Sequence, residues 1–294
     1  MESVRRVGRD GEPRIELSEE EMTEIFEDIR RTRLTDVPEC PNPESVWVLS
    51  QPGGGKSRSV RRWPPALPGC RPLRIVGDDF KAFHPSYEPL LARCHRTAGQ
   101  RIRPYYQTWQ AWTEEFVRKL RGDAVIESAP GSAEQFLDSV APFREAGYGT
   151  RLDAVATRPA DSRLGTAVRY LRTAGPDRLL PARFTTAAGH DQCVTALAAS
   201  VRAAEQEAAV DQVRVRRPDG TLLYEARRGP DGFERPGALA ALEAEWNRPY
   251  TDAEATGFVG DLVWLHRRLP EYREELREIG ERALPLLPAG LRLP

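Results

Sequence analysis

Residues 46–57, Val46-Trp47-Val48-Leu49-Ser50-Gln51-Pro52-Gly53-Gly54-Gly55-Lys56-Ser57, constrain the fold more than any other stretch of the chain. An apolar run stops abruptly at a Pro/Gly cluster that ends in Gly-Lys-Ser, one letter away from the phosphate-cradling G-x-x-x-x-G-K-[ST] pattern. That pattern needs a buried strand, a loop without Cβ atoms in the way, and a helix start. Backbone N–H groups of such a loop surround a phosphate chain, and the helix N-terminus adds partial positive charge. Gln51, Pro52, Gly53, Gly54, Gly55, Lys56 and Ser57 are therefore the candidate nucleotide-binding residues. Lys56 would reach the terminal phosphates and the Ser57 hydroxyl would sit on Mg²⁺. Ser50 occupies the first glycine position, where a small residue can still serve.

The order of elements around this loop predicts an α/β fold. Ser18 and Glu21 form a capping box ahead of Met22, Ile25, Phe26 and Ile29, which predicts an amphipathic helix over 18–31. The helix after Ser57 must be short because Pro64 and Pro65 interrupt it. Leu73–Val76, Ala124–Ile126 and Leu152–Ala156 read as further strands, the first two ending at Asp78 and Glu127. Helices are predicted over 105–121, after Ser132 with a stop at Gly147, over 161–171, and over 190–210. The stripe Trp109, Trp112, Phe116 and Leu120 reads as core packing. Val213–Val215 and Leu222–Tyr224 read as two strands joined by the Pro218-Asp219-Gly220 turn. Alternating strands and helices after a phosphate loop imply a mostly parallel sheet covered on both faces, with ligands bound beyond the carboxyl ends of its strands. Residues 1–15 read as flexible, 16–235 as the nucleotide-binding domain, and 236–294 as a helical C-terminal extension. On the extension's helix 252–268, Phe258, Leu262, Trp264 and Leu265 suit core cover or an oligomer contact.

Bulk composition limits the partners. With 294 residues and a net charge of −1, the chain carries no global field favouring nucleic acid or a membrane surface. No apolar run approaches the roughly 20 residues a membrane span needs, and the charged N-terminus shows no signal peptide. Cys40, Cys70, Cys94 and Cys193 are far apart and read as reduced thiols of a cytoplasmic protein. His84, His95, His190 and His266 are equally scattered, so zinc is not expected.

Asp78 could accept a proton from a substrate hydroxyl attacking the γ-phosphate, bind Mg²⁺ through water, or cap the following helix. Glu127 could hold a sugar or a metal-bound water, or make a structural hydrogen bond. Phosphoryl transfer also wants cations over the migrating group. Arg169, on a helix, and Arg183, on a loop that also carries Arg178, are candidates, and both segments could close as a lid.

The set Gln51–Ser57, Gly77-Asp78-Asp79-Phe80 with His84-Pro85, Val125-Ile126-Glu127, Leu164-Gly165-Thr166 with Arg169-Tyr170, Ala182-Arg183 and His190-Asp191 resembles the zeta-toxin family. That resemblance implies a kinase that uses ATP and Mg²⁺ to phosphorylate the 3′-hydroxyl of the sugar in UDP-N-acetylglucosamine. It implies that Lys56 and Ser57 bind ATP phosphates and Mg²⁺, that Asp78 is the catalytic base, and that Arg169 and Arg183 contact the transferred phosphate. It puts Glu127 on the substrate side and Ser139 where a substrate-contacting threonine is often found. Family members are commonly held inactive by a small helical antitoxin. There are three departures from the family: Ser50 for glycine, Val76 for aspartate, and Glu127-Ser128-Ala129 for Glu-Gly-Thr. The last faces the acceptor, so a different acceptor is open: an antibiotic or other small hydroxyl compound, as in chloramphenicol phosphotransferases. A nucleotide-binding module without catalysis is a further reading, against which the joint presence of Asp78, Arg169 and Arg183 argues.

Overall fold

The computed structural model describes residues 13–62, 71–175, 182–291 and 293. Helix α1 (Glu19–Arg33) starts at the expected capping box, Ser18 accepting from the Glu21 N–H and Glu21 accepting from the Ser18 N–H. Arg14 and Ile15, at the end of the stretch expected to be flexible, are held in place. The Ser86 hydroxyl donates to the Arg14 carbonyl, and His84 Nε2 lies 3.0 Å from the Ile15 carbonyl.

Strand β1 (Glu44–Leu49) leads through the glycine loop into α2 (Lys56–Arg62), and β2 (Leu73–Val76) runs into a 3₁₀ segment, Gly77–Phe83. Pro64 and Pro65, expected to end the α2 helix, lie outside the described residues, as do Cys70 and Arg178. Helices α3 (Tyr87–Arg93), α4 (Ala98–Arg101) and α5 (Arg103–Lys119) precede β3 (Ala124–Ser128). The first two were not anticipated: each is too short to show an apolar period. Then follow α6 (Ala133–Glu145), capped by Ser132, β4 (Gly149–Val155), α7 (Pro159–Ala174) and α8 (Ala187–Gln206). The hairpin β5 (Gln212–Arg216) and β6 (Leu222–Arg227) is followed by α9 (Ala238–Trp246), α10 (Asp252–Arg268) and α11 (Arg273–Ala283).

The sheet has the order β2-β3-β1-β4-β5-β6, parallel except for β6. Alternation along β1 decides what lies on each face. Trp47 and Leu49 join Ile126, Leu152 and Trp109 in the main core, whereas Val46 and Val48 pack with Val60, Val125 and Val155. A third core sits away from the sheet: Leu164, Ala167 and Leu171 of α7 meet Phe258, Leu262, Leu265, Leu276 and Ile279 of α10 and α11. The extension is thus core cover for α7, and Trp264 alone of the expected four points outward at 37% exposure.

One expectation is corrected. Cys40 is disulfide-bonded, so the cysteines are not all reduced thiols; Cys94 and Cys193 are free. Spacing could not reveal this, because disulfide geometry depends on where the backbone brings two residues. Among the described residues no helix is long and apolar enough to cross a membrane.

Candidate active site

The glycine loop turns at Gly53 and Gly55, whose φ values of 78° and 87° lie in the left-handed region that favours glycine. At Gly53 space is also decisive, since a Cβ would stand 2.0 Å from the Ser162 carbonyl oxygen. Ser50, the departure from the glycine pattern, has a structural reason. Its buried hydroxyl donates to the Val155 carbonyl at 3.0 Å, tying the end of β1 to the end of β4. Gln51 is also fully buried, and its amide donates to the Thr157 carbonyl at 2.6 Å and to Ser162 Oγ at 3.0 Å. The Thr157 hydroxyl donates to the Gly54 carbonyl at 2.8 Å. The loop is therefore fixed from β4 and α7 by side chains as well as by its own glycines.

Lys56 Nζ donates to the carbonyls of Ser50 at 2.7 Å and Gln51 at 3.3 Å. Burial lowers its pKa to about 8 against the opposing pull of Asp78. Ser57 donates to Glu127 Oε2 at 2.8 Å, and Arg74 pairs with the other Glu127 oxygen. Glu127 is 2% exposed. The carboxylate expected on the acceptor side thus lies beside the serine expected to meet Mg²⁺.

Asp78 stands in the 3₁₀ segment, its carboxylate 54% exposed and ion-paired with Lys81 and, at 3.2 Å, with Arg183 Nη2. Desolvation pushes its pKa up, yet Lys81, Arg183 and Arg169 together hold it well below the usual carboxylate range. Arg169, on α7 with its side chain open to solvent, is close enough to affect Lys56 and Asp78 electrostatically, and its own proton affinity is lowered by the protein packed around it and by Arg183. Asp78 therefore links the set, paired with Arg183 and within electrostatic reach of Lys56 and Arg169. Lys81 belongs with them and was missed. It is 3% exposed, and its ammonium lies 4.9 Å from the centre of the Tyr106 ring. Its three-residue spacing from Asp78 was the available signal.

Ser139 lies one layer deeper. It accepts from Trp47 Nε1 and donates to Glu114 Oε2, both at 2.9 Å, and Gln110 donates to the other Glu114 oxygen at 2.8 Å. These groups line a cavity of about 260 Å³ with Leu49, Ser128 and Gln135, and Gln110 presses against Gly77, next to Asp78. Burial raises the Glu114 pKa. A glutamate inside an aromatic stripe gives no sign in sequence that it faces a cavity.

A glycine loop between a buried parallel strand and a helix, with a lysine, a hydroxyl and a carboxylate at the strand ends, defines a P-loop nucleotide-binding protein of the phosphotransferase class. A family profile described as Zeta toxin matches residues 28–228. The chain belongs to the Zeta toxin family, whose members are kinase-like phosphotransferases. A relative, Toxin PezT of Streptococcus pneumoniae serotype 4 (strain ATCC BAA-334 / TIGR4), is 24% identical over 187 residues, 63% of this chain and 72% of the relative. In fold the chain is similar to a structure from the PezAT chromosomal toxin-antitoxin system of that species. The TM-score is 0.69 at 19% identity, over 89% of this chain and 100% of the other. It is also similar to a structure of AvrRxo1-ORF1:AvrRxo1-ORF2 with sulphate ions, with a TM-score of 0.54 at 11% identity over 82% and 79% of the two chains.

Proposed function

We propose that this chain is an ATP-dependent kinase of a UDP-sugar, with the 3′-hydroxyl of UDP-N-acetylglucosamine as the foremost acceptor, and that it acts as the toxin of a toxin–antitoxin pair. The observation that carries the reading is the Asp78 carboxylate, held ionised by Lys81 and Arg183 within electrostatic reach of Lys56. Asp78 accepts the acceptor's hydroxyl proton. So strongly ionised a carboxylate is a weak base, which suffices when the transition state is loose and the nucleophile is little bonded until late. Loop N–H groups and Lys56 hold the phosphate chain, while Arg169 and Arg183 offset charge growing on the equatorial oxygens. ATP with Mg²⁺ supplies the phosphoryl group. Ser57 and Glu127, a hydroxyl and a carboxylate already in contact, would hold that ion through hard oxygens. Among the described residues no cluster of three or more His, Cys, Asp or Glu could cage a metal, which suits an ion bound mainly by phosphate and water.

A second reading keeps the chemistry and changes the acceptor. The cavity beside Gly77 is lined by Gln107, Gln110, Glu114, Gln135 and Asp138 and, among the described residues, by no lysine or arginine. That lining suits an uncharged hydroxyl compound, an antibiotic among them, better than a diphosphate. The test offers ATP with UDP-N-acetylglucosamine, other UDP-sugars and uncharged sugars to the purified chain, alongside Lys56→Ala and Asp78→Asn. Transfer to UDP-N-acetylglucosamine, lost in both variants, is expected; transfer only to uncharged acceptors overturns the nucleotide-sugar assignment.

The neighbours solved as toxin-antitoxin and two-component complexes support a small antitoxin as partner. A structure of AvrRxo1-ORF1:-ORF2 with ATP, at TM-score 0.50 and 9% identity, is compatible with ATP as donor. ATP supply favours the cytoplasm, although the Cys40 disulfide is of a kind more usual in oxidising compartments.

A further inference from the structure

We infer that Tyr272, in the C-terminal extension, is a positioning residue for both lid arginines, so that the extension is a working part of the catalytic cleft. The inference rests on the kinase reading above. Each arginine has an aromatic neighbour in sequence, Tyr170 after Arg169 and Phe184 after Arg183, and Tyr272 engages both.

The Tyr272 ring stacks on Phe184, with centroids 4.2 Å apart and planes 14° from parallel. Its hydroxyl donates to the Tyr170 hydroxyl at 3.2 Å and lies 2.8 Å from His95 Nε2. The His95 carbonyl accepts the Phe184 N–H at 3.2 Å, which fixes the backbone next to Arg183 as well as its neighbour's ring. Tyr170 meets Phe184 edge-on at 5.3 Å, so the two arginine-bearing segments touch through their aromatic neighbours and Tyr272 closes the triangle. Above it the Arg96 guanidinium lies 5.0 Å from the Phe184 centroid and 5.2 Å from that of Tyr272, and is itself tied to Glu275 of α11 at 2.6 Å. Tyr272 and Phe184 are each 4% exposed.

This backing is needed because the two guanidiniums carry like charge. Without a dianion between them they repel, and an exposed arginine on a helix has several rotamers to choose from. A stacked aromatic pair and a shared hydroxyl lock the backbone under each arginine, so less is lost when the migrating phosphoryl group brings them together. Tyr272 touches neither substrate nor cofactor and acts only through Tyr170 and Phe184.

The full chain, Tyr272→Phe and Tyr272→Leu are compared for ATP and ADP affinity by titration and for kcat and KM of phosphoryl transfer. On the kinase reading the lid arginines act on the transferred γ-phosphate, so Tyr272→Leu is expected to leave ADP affinity within about twofold and to erode the preference for ATP over ADP, with kcat falling about tenfold or more. Tyr272→Phe, which keeps the stack and loses the hydroxyl, is expected to fall between the two. Should Tyr272→Leu not fold, Tyr272→Phe alone decides, through a reduced ATP-over-ADP preference at unchanged ADP affinity. A full chain that prefers ATP and transfers phosphate, with folded Tyr272 variants matching it, overturns the role of Tyr272 and leaves the kinase reading intact. A full chain that binds no ATP overturns both.

Discussion

Gly53 and Gly147 have nearly the same φ, 78° and 77°, but different surroundings. A Cβ at Gly53 meets the Ser162 carbonyl at 2.0 Å, whereas one at Gly147 meets nothing within 4 Å. Gly147→Ala should therefore cost only the backbone strain, about 1 kcal/mol. Gly53→Ala should cost clearly more and abolish ATP binding, because the loop must leave its contact with α7. Equal losses of Tm would show that the close approach carries no weight. Lys56 gives a pH dependence. Its pKa is about 8 in the fold against 10.5 ordinarily, so the lysine loses its charge as pH rises through about 8. ATP affinity should weaken about tenfold from about pH 7 to about pH 9, and less in Lys56→Arg. The same shift acts oppositely on stability: between the two pKa values the unfolded chain binds more protons, so this lysine's contribution rises with pH there. Affinity unchanged over that range would mean Lys56 keeps its proton.

At the scale of elements, α7 is the piece on which the others converge. Its first turn reaches the glycine loop through Ser162, its middle carries Arg169, and its outer face meets α10 and α11. Ser162 also lies 2.8 Å from His190 Nε2, and His190 contacts Asp191, which Arg282 of α11 grips through both carboxylate oxygens. Burial lowers the His190 pKa to about 4, so it bridges α7 and α8 as a neutral ring. Arg158, just before α7, is 5% exposed. It donates to the Arg248 and Pro249 carbonyls and to Asp161 and Glu254, with its guanidinium 4.0 Å from the Tyr250 centroid. Arg158→Ala removes a buried guanidinium from Asp161 and from the Arg248 and Pro249 carbonyls, while Glu254 keeps Arg248, and should destabilise by roughly 1–3 kcal/mol in denaturant unfolding. A loss under about 1 kcal/mol would show that the network is dispensable. Sequence reading passed over Arg158, since one arginine among 43 basic residues has no local mark of burial.

For the whole molecule, the third core joins the extension to the nucleotide-binding part. Ending the chain after residue 235 would expose Leu164, Ala167 and Leu171 and remove the partners of Arg158, Arg163 and Asp191. Each large apolar side chain returned to water costs about 1.5–3 kcal/mol. The shortened chain is therefore expected to be insoluble, or to bind ATP at least tenfold more weakly. A soluble fragment with full ATP affinity would make the extension a separable appendage.

What the sequence by itself determined was local: the glycine loop, the capping box at Ser18, the cap at Ser132, and the strand ends at Asp78 and Glu127 all follow from residues a few positions apart. Turn, cap and periodicity rules act over that range, so these elements were legible. Only the tertiary structure decided that Glu127 meets Ser57, that Ser139 leans on Glu114, that Lys81 is buried, and that Tyr272 reaches both lid segments. Burial and ion pairing depend on which distant segments pack together, and that packing is a property of the whole chain rather than of any window along it.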